Sequence, residues 1–548
     1  MKIQKTQQQN LIQQNINPQF KGAVDTGLRF FATNQAIGAN AVDFSFMVTP
    51  RTASDTINRG PAAGLETFRR EIMGTVNDSC IGLFGAFAGS LIAYGINKKY
   101  NLNINKIFTA PDTLNILAEN KARQINNKKS QVDYIKETLN SVRAYNPQAA
   151  ESDKDGFVKI SKNTINEVAE ILDKEINKTG EDALKQWTKD SPKNVRSALI
   201  NMLIGDTGAQ AKYIIESKDK KIKSETNLKS LLNDIYLVSK AFNKKNVKNS
   251  FNEQLNNKKD ISQNAFIKST RNFMKKRALI GFGIVSAIGL SVQPINMYLT
   301  KLKTGNDGFV GVEGRSKDNS NGFKAVKTAS SLGFFSMILA TLNMKPWQFT
   351  PKKFMDKMAF TGKMPTINQL KGLYGITIIS RIFSARDQDE LREVLTKDTL
   401  GYLSWLVLGD FINRIVAERL DKNIVNYKKE TEKSGYWKKM FYASLKTRDE
   451  ILVRTLKENN IKTTKMENGK FVAKSFKEML NELKNNKKVQ QSVKLETRRA
   501  LTTLNKAQIA GYLFSGLVLG LGIPNLNIYI TNKLDKKRKA EALKNKAS

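Results

Sequence analysis

Ala278-Leu-Ile-Gly-Phe-Gly-Ile-Val-Ser-Ala-Ile-Gly-Leu-Ser-Val-Gln-Pro-Ile-Asn-Met-Tyr-Leu-Thr300 and Ile509-Ala-Gly-Tyr-Leu-Phe-Ser-Gly-Leu-Val-Leu-Gly-Leu-Gly-Ile-Pro-Asn-Leu-Asn-Ile-Tyr-Ile-Thr531 decide the fold reading. Each is an apolar run studded with glycine that closes on Pro, Asn, Tyr and Thr in the same order. A soluble helix would favour Ala where Gly281, Gly283, Gly289, Gly511, Gly516, Gly520 and Gly522 stand, because Gly costs about 1 kcal/mol in a helix interior. In a bilayer, small residues instead let helix backbones approach closely.

Four further runs share this character: 81–96 (with Gly82, Gly85 and Gly89), 326–342, 373–383 and 400–416. The six runs hold 11 to 17 residues, short of the roughly 20 that a full span needs. Flanking residues such as Tyr94, Tyr100, Tyr402 and Trp405 extend several of them. The expectation is an all-α, multi-pass helical membrane protein with five or six short Gly-rich spans, the run 373–383 being the weakest.

Around these runs the chain is lysine-rich and basic. Its 548 residues carry 90 Lys+Arg against 50 Asp+Glu, a formal charge of +40. This favours anionic partners, lipid head groups first. There is no histidine, and the only cysteine is Cys80. The first absence removes the commonest general base and zinc ligand, and the second removes any intrachain disulfide. No metal or cofactor signature is found, and nothing points to an enzyme. Residues 1–17 are rich in Gln and Asn and lack the apolar core of a secretory signal, so no cleavage is expected.

The pattern divides into a polar tail expected to be disordered (1–25), an interfacial or packing segment (26–69), a first unit (70–301) and a connector with two apolar segments (302–391). A second unit (392–531) and a basic tail (532–548) follow. Each unit is span, polar insert, span. The inserts, 97–277 and 417–506, have amphipathic helical periodicity. Each also carries one hairpin-like turn, at Asp155-Gly156-Phe-Val158 and at Asn468-Gly469-Lys-Phe-Val472. The units look like an internal duplication. Arg70-Glu71, then Asp78, enters the first unit, and Arg392-Glu393, then Asp398, enters the second. Asp78 and Asp398 read as helix N-caps, and Arg70/Glu71 with Arg392/Glu393 as ion pairs at the two helix entries.

Insert 97–277 carries 35 basic against 21 acidic side chains, and insert 417–506 carries 23 against 11. The positive-inside rule therefore expects both on the cytoplasmic face of the cell membrane. The tail 532–548, with 7 basic and 2 acidic residues, falls on the opposite face. The conflict is removed if the last run folds back at Pro524 or if one earlier run does not cross.

Ionisable groups inside a membrane are costly and often line a pathway. Candidate polar-path residues are Asn296, Tyr298, Arg381, Asp410, Arg414, Asn527 and Tyr529. Asp410 and Arg414, four apart, also read as an intrahelical pair with Arg414 reaching the interface. Pro294 and Pro524 each free a carbonyl four residues back. Glu151-Ser-Asp-Lys-Asp-Gly156 lacks the closing Glu of a calcium loop and reads as a turn. Gly305-Asn-Asp-Gly-Phe-Val-Gly311 reads as a connector, and Lys536-Lys-Arg-Lys539 as a lipid-surface anchor.

The expected role is a non-enzymatic membrane scaffold or docking protein whose inserts bind anionic lipid or protein partners. Self-association to a homo-oligomer stays open. The alternatives are a transporter or channel with a polar path between the halves, and a soluble helical protein that binds nucleic acid or assembles into large structures. Nucleic acid is the disfavoured partner.

Overall fold

The computed structural model describes residues 23–547 apart from 34, 190, 220, 258–259, 306, 309–316 and 361–364. Most of the polar tail and most of the 305–311 connector therefore lie outside the described residues. The chain is 75% helix and 5% strand.

Among the described residues four helices, rather than five or six, are long and apolar enough to cross a membrane: Pro61–Tyr100, Ala265–Thr304, Gln388–Leu420 and Gln491–Glu541. They carry the runs 81–96, 278–292, 400–416 and 509–523. The runs 326–342 and 373–383 lie on two shorter helices, Asn321–Thr341 and Ile367–Ser384. These fold back on each other as a hairpin against the long helices. Its core includes Ile338, Leu373, Ile378 and Ile382.

The ends of the long helices follow from local chemistry. Gly60, at φ 89°, turns the chain into Pro61 at the first helical position, and Asn101, at φ 50°, ends that helix. Asn264 caps the second helix by accepting from the Phe266 and Ile267 amides. Asp387 caps the third by accepting from the Glu390 amide at 2.8 Å. Asp78 and Asp398 are thus not N-caps, because both helices start more than two turns earlier. At 40 residues, the first two helices extend about 60 Å, twice the roughly 30 Å hydrocarbon layer.

The first and second helices pack backbone to backbone. A Cβ on Gly281 would lie 2.9 Å from the Gly85 Cα, and Phe360 closes over the same spot. The third and fourth helices meet likewise, a Cβ on Gly511 lying 2.8 Å from the Gly409 carbonyl. Many outward-facing side chains are large and apolar. On the fourth helix Ile509, Leu513, Leu517, Leu521, Leu526 and Tyr529 form one exposed stripe, about 30 Å long at 1.5 Å per residue. Small and charged residues inside with Leu outside is the reverse of a soluble helix.

The fourth helix runs straight through Pro524 to Ala547 rather than folding back. A π turn at Leu517–Gly522 absorbs the proline, and a second at Phe44–Val48 precedes Pro50. The wider turn moves aside the carbonyl four residues back, with which the ring would collide. Pro294 is handled differently. The carbonyl it frees, that of Leu290, accepts a 2.6 Å hydrogen bond from Ser380 Oγ.

At the other end of the bundle the inserts fold together. Insert 97–277 forms a four-stranded antiparallel sheet, β1 (Val142–Tyr145), β2 (Phe157–Lys159), β3 (Tyr213–Glu216) and β4 (Lys223–Thr226), in the order β2-β1-β3-β4. It thus holds two hairpins where the sequence signals one. Asp155-Gly156 ends a longer loop pinned by Asp153, which accepts from the Asp155 and Phe157 amides. Asn468 (φ 51°) and Gly469 (φ 69°) make the two-residue turn between the paired strands Thr464–Glu467 and Lys470–Ala473. One core unites both inserts: Leu452, Val453, Leu456, Phe476 and Met479 of the second join Leu199, Leu203 and Ile235 of the first. The Gln210 amide also donates to Glu450, and the Ala473 amide to the Pro192 carbonyl.

Candidate functional site

At the bundle end away from the inserts, charged side chains are stacked between the helices in three layers. In the outer layer each half of the chain grips the other. Arg59, at the end of helix Thr49–Arg59, makes a two-pronged contact to Glu393 on the third long helix, at 3.0 and 2.5 Å. Arg386, just before the third helix, donates to Glu66 on the first at 2.8 Å and to Glu390 at 2.9 Å. The same two glutamates are held through their main chain. Asn296 Nδ2 donates to the Glu66 carbonyl at 2.9 Å, and Asn527 Nδ2 to the Glu393 carbonyl at 3.1 Å. One turn on, Thr300 accepts from Arg69 at 2.8 Å and Thr531 from Arg392 at 2.5 Å.

The middle layer lies five residues further along the first helix, about 8 Å deeper. Arg381 Nη1 donates to both oxygens of Asp398 at 3.1 Å, and its Nη2 to Glu71 at 3.3 Å. Arg51 lies 3.4 Å from Glu71 and 3.8 Å from Asp398. All four side chains are 1–3% exposed. Each guanidinium sits over a glycine of the opposite half: a Cβ on Gly401 would lie 3.0 Å from Arg51 Nη2, and one on Gly74 4.0 Å from Arg381 Nη2. Two cations and two anions cancel, which is what makes the burial tolerable. Glu71 is also 3.2 Å from Arg70. Between the outer and middle layers is a cavity of about 30 Å³ lined by Asp55, Glu66, Arg70, Glu393 and Lys397 among others, room for about one water.

The inner layer, about 18 Å below Glu66 at 1.5 Å per residue, holds Asp43, bound by Thr75, and Asp78. Both are buried, and Oδ2 of Asp78 has no hydrogen-bond partner among the described residues. Beside this charged column three π turns come together, Phe44–Val48, Ser404–Leu408 and Leu517–Gly522. A Cβ on Gly520 would lie 2.8 Å from the Phe46 carbonyl, and one on Gly401 would reach Leu519, Met47 and Arg51.

The candidates chosen from sequence separate in space. Arg381, Glu71 and Asp398 meet in the middle layer, and Asn296, Asn527 and Glu393 in the outer one. Tyr298 and Tyr529 point away, 61% and 63% exposed. Asp410 is exposed near the insert end, twelve residues beyond Asp398. Arg414 donates to the Ala443 carbonyl at 3.2 Å rather than to Asp410. Arg70-Glu71 and Arg392-Glu393 are not equivalent entries, since Glu71 stands opposite Asp398, one layer deeper than Glu393.

Arg51, Arg59, Glu66, Arg386 and Glu390 are absent from the sequence-derived set. For Arg59, Glu66 and Arg386 the signal is a constant separation: Arg59, Glu66, Glu71, Gly74 and Gly82 recur 327 positions later as Arg386, Glu393, Asp398, Gly401 and Gly409, whereas Arg51 and Glu390 have no such counterpart. Among the described residues no group of three or more carboxylates or thiols could hold a metal. Comparison with family models, curated proteins and solved structures finds no match.

Proposed function

We propose that this chain is a non-enzymatic membrane scaffold: a bundle that crosses the cell membrane several times and holds a folded basic domain against its cytoplasmic face, where that domain binds anionic lipid and partner proteins. The observation that carries this reading is the single core shared by both inserts at one end of four membrane-length helices. The basic excess of both inserts supports the cytoplasmic side. The self-cancelling quartet Arg51, Glu71, Arg381 and Asp398 supports a lock rather than an open path.

We further read the two halves as an internal duplication with parallel units. Its support is the repeated five-residue set, the reciprocal grip of Arg59 on Glu393 and Arg386 on Glu66, and the matched clasps of Asn296 and Asn527.

The test is fractionation followed by reconstitution of the full chain. The expected result is retention in membranes through alkaline carbonate, together with retention on the reconstituted bilayer of added proteins or anionic vesicles that zwitterionic vesicles do not compete for. Release without detergent, or indifference to lipid charge and to every partner, overturns the reading. The inner layer, where buried Asp78 keeps one carboxylate oxygen without a hydrogen-bond partner among the described residues, favours a second reading, a transporter. It requires solute flux in proteoliposomes that Asp78→Asn abolishes without loss of protein.

A further inference from the structure

The surface of the basic domain is almost free of large apolar side chains; between residues 101 and 264 none is exposed among the described residues. In the second insert Leu420, Met466 and Leu495 are exposed singly, whereas one seven-residue helix, Tyr436–Tyr442, exposes four large apolar side chains together. Tyr436, Trp437, Phe441 and Tyr442 are 42%, 67%, 45% and 40% exposed. Met440 is fully buried and fixes the helix to the domain.

The position of this helix suggests what covers it. Phe411, on the third long helix, lies against Trp437 and Phe441, with ring centres 6.1 and 6.2 Å apart. Arg414 of the same long helix donates to the Ala443 carbonyl that ends the short one. Gly409 and Asn413, flanking Phe411, pack on Gly511. That glycine stands at the insert-side end of the apolar stripe running from Ile509 to Tyr529. The short helix is therefore level with the edge of the roughly 30 Å apolar band. Residues 428–442 also carry five lysines against two glutamates, and Lys433 and Lys438 are exposed.

Aromatic rings with polar tips partition to the head-group layer, and lysines beside them are drawn to anionic lipid. We infer that helix Tyr436–Tyr442 lies in the head-group layer of the bilayer that the long helices cross, with Trp437 and Phe441 at the acyl boundary and Lys438 and Lys439 on anionic phospholipid. This rests on the proposed membrane setting and names the segment that touches the lipid.

The test uses the full chain carrying Trp347→Phe, which removes the other exposed tryptophan, reconstituted with bromine-labelled lipids. Lipid brominated high in the acyl chain should quench emission at least twofold more than lipid brominated near the chain end. Trp437→Phe should abolish the difference. Quenching should rise with phosphatidylglycerol content, and Lys438→Gln/Lys439→Gln should remove that rise. A Trp437 untouched by either bromolipid overturns the inference, whether iodide reaches it from water or a protein shields it. Quenching that ignores phosphatidylglycerol overturns the anionic-lipid part. Release of the chain by carbonate would instead sink the membrane setting, whereas a retained chain with a silent Trp437 would sink only this assignment.

Discussion

Replacing Arg381 by Met tests whether the middle charge layer locks the two halves. Arg381 faces three carboxylate oxygens at 3.1 to 3.3 Å. Without it, Glu71 and Asp398 are left to Arg51, at 3.4 and 3.8 Å, with Arg70 beside Glu71 and Lys397 beside Asp398. At an effective dielectric of 20, one pair at 3.1 Å is worth about 5 kcal/mol of Coulomb energy. Removing one partner of a buried pair typically costs about 3–5 kcal/mol, because the other charge is stranded. Arg381→Met should therefore destabilise the bundle by about 3–5 kcal/mol, and Asp398→Leu by a similar amount. The double variant leaves Glu71 with Arg51 and Arg70 and strands no carboxylate, and should cost at least 2 kcal/mol less than the sum of the singles. Denaturant unfolding of the full chain in detergent micelles, run on all four proteins, gives the cycle. Single losses below 1 kcal/mol with no coupling would mean that the layer is solvated and locks nothing.

Three further outcomes follow from other parts of the molecule. Asp234, buried in the basic domain and bound by Thr109 at 2.7 Å, is pushed by burial up to about 7 from 3.8. Because the folded form holds its proton longer, stability should fall by roughly 4 kcal/mol as pH rises from about 4 to 7 and then level off. Asp234→Asn should flatten that slope in thermal unfolding across the same window, and an unchanged slope would assign it to other groups. Gly281→Leu should force the first two helices apart, at a cost of at least the 1–3 kcal/mol typical of overpacking. Gly283→Leu meets nothing within 4 Å and should leave the melting temperature unchanged; equal effects would refute the backbone contact. Ser380→Ala should cost about 1–3 kcal/mol by orphaning the Leu290 carbonyl. Adding Pro294→Ala, which supplies the missing helix amide, should recover most of the loss in the same unfolding assay.

Glycine spacing and hydropathy announced the helical membrane bundle because both are local properties. The same locality explains the miscount. Runs 326–342 and 373–383 resemble the others in composition, but they lie on helices of 21 and 18 residues packed as a hairpin, and no residue within either marks that. Asp78 and Asp398 resembled N-caps because they precede apolar runs, yet each helix starts well upstream at Gly60-Pro61 and Asp387. Arg381 was visible as a charge inside an apolar run. Its partner Glu71 is 310 positions away and Arg59 pairs with Glu393 across 334. No local pattern joins residues at such distances. Only the separation of 327 between repeated acids and glycines could have linked them, and a register chosen on Arg-Glu dipeptides hides it.

The exchanged ion pairs also set a schedule for synthesis. Glu66 and Glu71 leave the ribosome 320 and 310 residues before Arg386 and Arg381. At about 5–20 residues per second, that delay is roughly 15–60 s. Arg51 and Arg70 are made early and can shield Glu71, whereas the arginine that binds Glu66 in the folded chain, Arg386, comes only with the second half. In the proposed membrane setting, the first helix pair therefore seats fully only when the second pair arrives, so the order of synthesis leaves a half-built bundle with an unmatched charge for that interval.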